Sequence, residues 1–360
     1  MRVTVCGAGA IGAATAWFLT ERGADVTLVE RAGVAAAASG KSGGFLALDW
    51  CDGQPVEALA RRSFALHEHL AGTLDADWGY RRMTTYAGTE AKRGPAGPVD
   101  WVGPVAITQT LGGPRTTAQV HPARFTQALV DAALARGAAL RVGTVEGLEQ
   151  AADGAVTGVR VDGAMQAADA VVVAMGPWSI LAARWLPLPA VYGIKGHSLV
   201  YQTGDRLPAE ALFLECRDDA GSATPEVFPR NDGTTYVCAL SSQSPLPLDP
   251  AAVGPDAGAF SRLEAMCGRL SPVLAASPIV ARGACYRPVT ADGWPVMGAV
   301  PGVPGAYVAT GHGVWGILNA PASGEAMAEL IATGATGKVD LAAFDPARLP
   351  ALDPAHLAVR

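Results

Sequence analysis

At 360 residues the chain is long enough for two domains of ordinary size, or for one domain with a large insertion. Half of its residues are hydrophobic, only 17% are charged and the formal net charge is −6, which excludes a disordered chain and a basic nucleic-acid surface. Glycines and the charged residues Glu21, Arg22, Asp25 and Glu30 interrupt the apolar N-terminus, so it reads as a β-α-β unit rather than a leader or a membrane anchor.

Val3-Thr4-Val5-Cys6 has the apolar character of a first strand. Gly7-Ala8-Gly9-Ala10-Ile11-Gly12 follows directly, Ala13 to Leu19 continues as a helix, and Val26 to Val29 forms a second strand closed by Glu30. This order is a dinucleotide-binding fingerprint. Gly7 permits the tight turn, Gly9 lets the backbone approach a pyrophosphate, and Gly12 lets the helix pack on the sheet. The helix N-terminus then faces the phosphates. Glu30 can accept hydrogen bonds from an adenosine ribose and disfavours a 2′-phosphate, which points to FAD or NAD rather than NADP.

Ala35 to Phe45 is a run of small residues too rich in glycine to stay helical, and its amides are suited to line a cofactor. Pro55 to about Ala76 is expected to be helical, with Leu59, Phe64, Leu66 and Leu70 as the buried stripe. His67 and His69 sit two apart on different faces with no acid or cysteine cluster beside them, so no metal site is expected. Tyr80 to Thr117 suggests β-structure of a second domain. A helix from about Ala123 to Arg136 ends at Gly137, Leu140 to Val142 with Val145 makes one strand, and Val156 to Val161 makes another. The buried run Ala170 to Ala174 stops at Met175-Gly176-Pro177-Trp178-Ser179, a turn where open α/β sheets bind ligands. Tyr192 to Tyr201 and Gly233 to Leu240 alternate as strands, and a proline-rich connection runs from Pro245 to Pro255. A helix over about Ala257 to Leu270, extended chain from Arg282 to Gly298, a strand Ala306 to Thr310 and a helix Ala320 to Thr333 complete the pattern. Cys6, Cys51, Cys216, Cys238, Cys267 and Cys285 are scattered without a disulfide framework, for which a reducing cytoplasm is the simplest setting.

Five ordered motifs span nearly the whole chain: the fingerprint with Glu30, Ala38 to Gly44, Val173 to Ser179, Arg287 to Gly298, and Thr310 to Ile317. Together they resemble the D-amino-acid oxidase superfamily of FAD enzymes, which includes glycine and sarcosine oxidases. Gly43 to Trp50 and Trp315 to Asn319 look most like an oxidoreductase-like branch found in fungi and plants. The resemblance implies an α/β fold, α+β overall: a discontinuous Rossmann-like FAD-binding domain (1–78, 118–188 and 283–345) with an inserted mixed or antiparallel β-sheet substrate domain (79–117 and 189–282). Residues 346–360 are a C-terminal tail.

The cofactor contacts so implied are Gly7, Gly9, Ala10, Ile11, Gly12, Glu30 and Arg31, then Ser39, Gly40, Lys41, Ser42, Gly43 and Gly44. Val145, Gly176, Trp178 and Cys285 follow, and Gly311, His312, Gly313, Val314, Trp315, Gly316 and Ile317 complete the set. Ser39 and Ser42 suit either cofactor hydrogen bonds or local turn bonds. His312 suits either a donor to the flavin or a cap on its own turn. Cys285 resembles the place where sarcosine oxidases attach their flavin, but it also reads as a small buried hydrophobe, and noncovalent FAD is the expectation.

The resemblance implies oxidation of a C–N bond in an amino acid or N-methylated amino acid, by hydride transfer to flavin N5, with electrons passed to oxygen or another acceptor. No hydrolytic triad is legible. Arg287 is the expected carboxylate anchor, because its planar fork matches a carboxylate with two parallel hydrogen bonds. The alternative is an arginine paired to Asp292 or to a backbone carbonyl. Tyr236, Tyr192 and Tyr201 are candidates for a substrate hydroxyl or for sheet packing, and Trp50 and Trp315 for an aromatic wall. Hydroxy-acid oxidation and a noncatalytic FAD-binding assembly or trafficking role are the other readings.

Overall fold

The glycine-rich N-terminus builds the first sheet of the computed structural model, which describes residues 1–92 and 94–357; residues 358–360 of the expected tail lie outside the described residues. β1 (Arg2–Cys6), α1 (Ala10–Glu21) and β2 (Asp25–Glu30) form the expected β-α-β unit, with Val3 opposite Val26 in parallel register. β3 (Phe45–Ala47), α2 (Glu57–Thr73), β4 (Arg81–Arg82), β5 (Thr84–Glu90), β6 (Val105–Gly112), β7 (Thr117–Gln119) and α3 (Pro122–Ala135) follow. Next come β8 (Ala139–Val142), β9 (Val145–Gln150), β10 (Val156–Val161), β11 (Ala164–Ala167) and β12 (Ala170–Val173). β13 (Tyr192–Gln202), β14 (Glu210–Asp218), β15 (Gly221–Ala223), β16 (Glu226–Pro229) and β17 (Thr234–Ser242) lead to α4 (Ala259–Leu270) and α5 (Pro272–Ala275). β18 (Ile279–Val289), β19 (Val296–Ala299), β20 (Ala306–Thr310) and α6 (Gly316–Thr333) close the fold.

Two sheets organise the molecule. The first has the order β19-β20-β12-β1-β2-β8 and is parallel apart from β19. All four residues of β12 are buried, as a parallel strand covered on both faces requires. The second sheet has eight strands, in the order β18-β13-β17-β16-β14-β5-β6 with β15 beside β14, and is antiparallel except where β14 meets β5. Two small antiparallel sheets have the orders β11-β10-β9 and β3-β7-β4, and β10 of the former packs against β12 of the first sheet.

Three expectations change. Val145 does not continue the strand Leu140–Val142: the chain turns at Gly143, whose amide bonds Glu30 O at 2.9 Å, and Val145 opens a strand of a different sheet. The boundary at residue 283 cuts through β18, whose full length pairs with β13, so residues 279–289 and with them Arg287 belong to the eight-stranded sheet.

Third, α6 begins at Gly316 rather than Ala320 and carries Pro321 inside it. Proline has no N–H to give to the carbonyl four residues back. His67 on α2 supplies the missing donor instead: its Nε2 lies 2.9 Å from Ile317 O and 3.2 Å from Leu318 O. Ser63 Oγ, one turn earlier, accepts from Ala322 N at 2.9 Å. His67 is fully buried, which pushes its pKa down to about 4, so it serves as a neutral packing histidine, while His69 points to solvent.

His67→Leu is expected to destabilise the protein by about 1–3 kcal/mol in denaturant unfolding, the cost of an orphaned buried carbonyl. In a Pro321→Ala background, where residue 321 can itself donate, that cost should shrink; equal costs in both backgrounds would disprove the repair. Because burial depresses the folded-state pKa, the neutral ring's contribution is present above pH 6.5 and is lost as pH falls towards about 4. The acid slope of stability should therefore be shallower in His67→Leu.

Candidate active site

Three glycines set the first wall. Gly7 has φ +110°, and a Cβ there would lie 2.4 Å from Ala174 O. A Cβ on Gly12 would lie 2.0 Å from Gly7 O, so the first turn of α1 sits directly against the end of β1. Gly9 is the N-cap of α1, with no side-chain cap and no acid in the first turn. Ser39 Oγ accepts from Ala10 N at 2.9 Å, which settles Ser39 as a partner of the helix start. Glu30 accepts from Ala8 N and Ala32 N, both at 2.8 Å, and holds its carboxylate at the edge of the same space.

The second wall is the start of α6. Gly311 takes φ +79°, and a Cβ there would meet Thr290 Cγ2 at 2.8 Å. α6 also begins without a side-chain cap or an acid in its first turn. His312 does not cap its turn: Nε2 shares a hydrogen bond of 3.0 Å with Ser323 Oγ, and Nδ1 is buried without a partner. Complete burial pushes the His312 pKa down to about 3, so the ring is neutral.

The eight-stranded sheet forms the roof. Arg287 is half-buried and donates through Nη2 to Ser241 Oγ. Asp292, its sequence-based rival partner, is instead bound by Arg348 through bonds of 2.7 and 3.1 Å. Among the described residues no carboxylate forms an ion pair with Arg287. Tyr236 donates its hydroxyl to Lys41 O at 3.1 Å and stacks on Phe228, so it positions the 41–43 turn. Ser42 Oγ is buried without a partner. Burial raises the Cys285 thiol pKa, with Lys41 and Arg287 pulling the other way.

One cavity of about 570 Å³ joins these walls. It is lined by Gly7, Gly9, Ala10, Ile11, Glu30, Arg31, Ser39, Lys41, Ser42 and Gly43 from the first half of the chain. Val145, Gly176, Trp178, Tyr236, Cys285, Arg287, His312, Gly313, Val314, Gly316 and Ile317 line the remainder. Gly12, Gly40, Gly44, Gly311 and Trp315 do not line it. Each of these four glycines makes room for a neighbouring backbone or side chain, Gly40 beside Ala35 O and Gly44 beside Val120 O, and Trp315 stands edge-on to Trp50 at 6.2 Å. Glu226, Cys238, Ser241 and Thr144 line the cavity without having been singled out. Glu226 and Cys238 face each other across β16 and β17, but β16 has only four residues and offers little periodicity to read.

A dinucleotide cradle, a second uncapped helix start at the same cavity and an arginine-bearing roof together define an FAD-dependent oxidoreductase. Residues 2–330 match the DAO family, described as FAD dependent oxidoreductase, and the chain belongs to that family. A putative oxidoreductase of Schizosaccharomyces pombe is 30% identical over 379 residues, covering 96% of this chain and 97% of its own length. A glycine oxidase of Geobacillus kaustophilus is 28% identical over 385 residues, covering 96% of each. The crystal structure of glycine oxidase from the same organism shares the fold, with a TM-score of 0.79 over 96% of this chain and 98% of that one at 24% identity.

The residues present fit FAD. The start of α1, where Ser39 Oγ meets Ala10 N but no N-cap side chain or first-turn acid closes the end, suits the diphosphate, the Glu30 carboxylate suits a ribose, and the unpartnered Ser42 Oγ and His312 Nδ1 await polar partners within the same walls. Gly7→Ala is expected to lower the melting temperature of the flavin-free protein, with backbone strain and overlap costing about 2 kcal/mol or more. A Cβ on Gly9 would meet only Ser39 Oγ, at 3.1 Å. Gly9→Ala should therefore spare apoprotein stability and reduce flavin retention on gel filtration; equal loss of stability in both variants would refute this division of roles.

Proposed function

We propose that the enzyme oxidises the C–N bond of an amino acid or N-methylated amino acid that it holds by its carboxylate. The observation that carries this reading is Arg287, a guanidinium in the cavity roof bonded to a neutral serine and to no described carboxylate. A planar fork placed there matches a substrate carboxylate with two parallel hydrogen bonds.

FAD, when bound, would supply the two-electron oxidation of the substrate. The chain's residues orient the substrate and dispose of charge. Arg287 fixes the carboxylate, and Ser241 holds the guanidinium at the roof. The N-terminus of α6 opens on the same cavity, next to β18, and stabilises negative charge there. Neutral His312 adds a polar ring without adding charge. The substrate loses a hydride and a proton overall, its imine product hydrolyses in water, and the electrons leave to oxygen or another acceptor. The flavin is taken as noncovalent: burial raises the Cys285 thiol pKa, against the pull of Lys41 and Arg287, which disfavours the thiolate that a thioether bond requires.

Anaerobic bleaching of the yellow holoenzyme by amino acids, N-methyl amino acids and hydroxy acids tests the reaction. Bleaching by hydroxy acids alone would overturn the C–N assignment, and bleaching by none would favour a noncatalytic role. Arg287→Ala should retain FAD yet weaken carboxylate ligands by about 2 kcal/mol or more; unchanged affinity would remove Arg287 from the site. Acid precipitation should leave all yellow colour in the supernatant, and colour in the pellet would establish a covalent link.

A further inference from the structure

The roof of the cavity carries one acid as well as one arginine. Glu226 opens β16 opposite Cys238 and lines the cavity. Its side chain is largely surrounded by protein, and burial raises its carboxyl pKa, with the Cys238 bond and the Arg287 charge opposing the rise. Its only described hydrogen bond comes from the Cys238 thiol, at 3.5 Å, and a thiol is a weak donor. No described arginine, lysine or histidine forms an ion pair with it. Elsewhere the chain treats a buried acid differently: Glu325 is bound by Arg62 and Lys338, each at 2.7 Å. A carboxyl in such surroundings is costly unless a cation meets it, and the open side of Glu226 is the cavity.

Arg287 lies on the same sheet but not beside Glu226. It stands on β18, and β13 and β17 intervene before β16, a span of three interstrand steps or about 14 Å between backbones. The guanidinium extends over Gly196, where a Cβ would lie 3.8 Å from Nη2, to reach Ser241 on β17. A cation and an acid are thus presented at two points of one roof. The guanidinium reaches β17, next to β16, so the two charged heads lie closer than their strands; but the amine that is oxidised gives up a hydride in its neutral form, so a cation that meets Glu226 is a second nitrogen of the substrate.

Resting on the carboxylate-amine reading above, we propose that Glu226 selects substrates carrying a second, basic nitrogen several bonds from the carboxylate held by Arg287. The class is a diamino or guanidino monocarboxylic acid, with the distal cation paired to Glu226.

Two measurements on holoenzyme and its Glu226→Gln variant test this. In the first, kcat/KM is compared for lysine and norleucine, both enantiomers of each, which differ only in the distal amine. The wild-type ratio should favour lysine by about tenfold or more, expressed mainly in KM, and should fall towards one in Glu226→Gln. In the second, flavin absorbance reports the binding of 5-aminopentanoate against pentanoate, with the same preference and the same loss expected. No preference in the wild type, or a preference that survives Glu226→Gln, overturns the assignment. If no amino acid bleaches the flavin, the amine-oxidation reading fails while the pentanoate pair still decides the role of Glu226. If neither pentanoate ligand binds, both readings fall.

Discussion

Helices α1 and α6 touch nearly backbone to backbone, and the direction of both helix starts follows from that contact. A Cβ on Gly324 of α6 would lie 2.4 Å from Ala14 C of α1, and a Cβ on Gly12 would lie 2.0 Å from Gly7 O. One seam of glycine and alanine therefore presses α1 onto β1 and α6 onto α1. Each helical glycine costs about 1 kcal/mol relative to alanine, and the close packing it permits offsets that. Both helices begin at one cavity with no bond from an N-cap side chain and no first-turn acid, Ser39 Oγ meeting only Ala10 N of α1. Two positive helix ends converging on one space favour an anionic ligand, as a diphosphate-bearing flavin is.

The two sides of the cavity divide the electrostatic work. The helix side offers dipoles and a neutral histidine, since burial holds His312 far below its ordinary pKa. The sheet side offers full charges, Arg287 and Glu226, on strands that pair in register. Fixed dipoles suit a charge that appears during reaction, whereas full charges suit a substrate that arrives already ionised. In the proposed function orientation falls to the sheet side and charge stabilisation to the helix starts.

The first sheet was legible because its signals are local. The glycines and Glu30 fall within the first 30 residues, β12 is one unbroken buried run, and each has one physical use. The roof was harder to read. β14, β15 and β16 are short or pair across turns, and Glu226 meets Cys238 only through the pairing of β16 with β17. Pro321 misdirected the start of α6 for a similar reason, because its repair comes from Ser63 and His67, some 250 residues earlier in the chain. Glycine motifs also overstated contact: Gly12, Gly40, Gly44 and Gly311 shape the walls without lining the cavity.

The proline-rich connection between β17 and α4 is one of the links between the two sheets beside the cavity. On the nucleotide side its carbonyls are gripped from below, Pro247 O by Trp178 Nε1 at 2.8 Å and Leu248 O by Arg31 Nη2 at 2.6 Å. On the roof side Asp256 anchors it, accepting from Lys195 Nζ and Ser244 Oγ, both at 2.8 Å, and from Ser242 Oγ. Those donors hold the Asp256 carboxyl well below the usual carboxylate range, so the anchor stays ionised throughout the neutral range. His197 Nε2 accepts from Asp256 N at 3.0 Å, which fixes the backbone as well as the side chain. Prolines in the connection lower the entropy lost on ordering it. Leu248 and Pro250 line the cavity, so a segment with little regular structure becomes a wall between water and the reacting atoms. Arg31 and Trp178 stand on the nucleotide side and Lys195 on the roof side, so this crossing helps to fix the relative placement of the two sheets, together with the bonds from Tyr236 to Lys41 O, from Arg230 to Ser42 O and from Lys41 to Ala284 O.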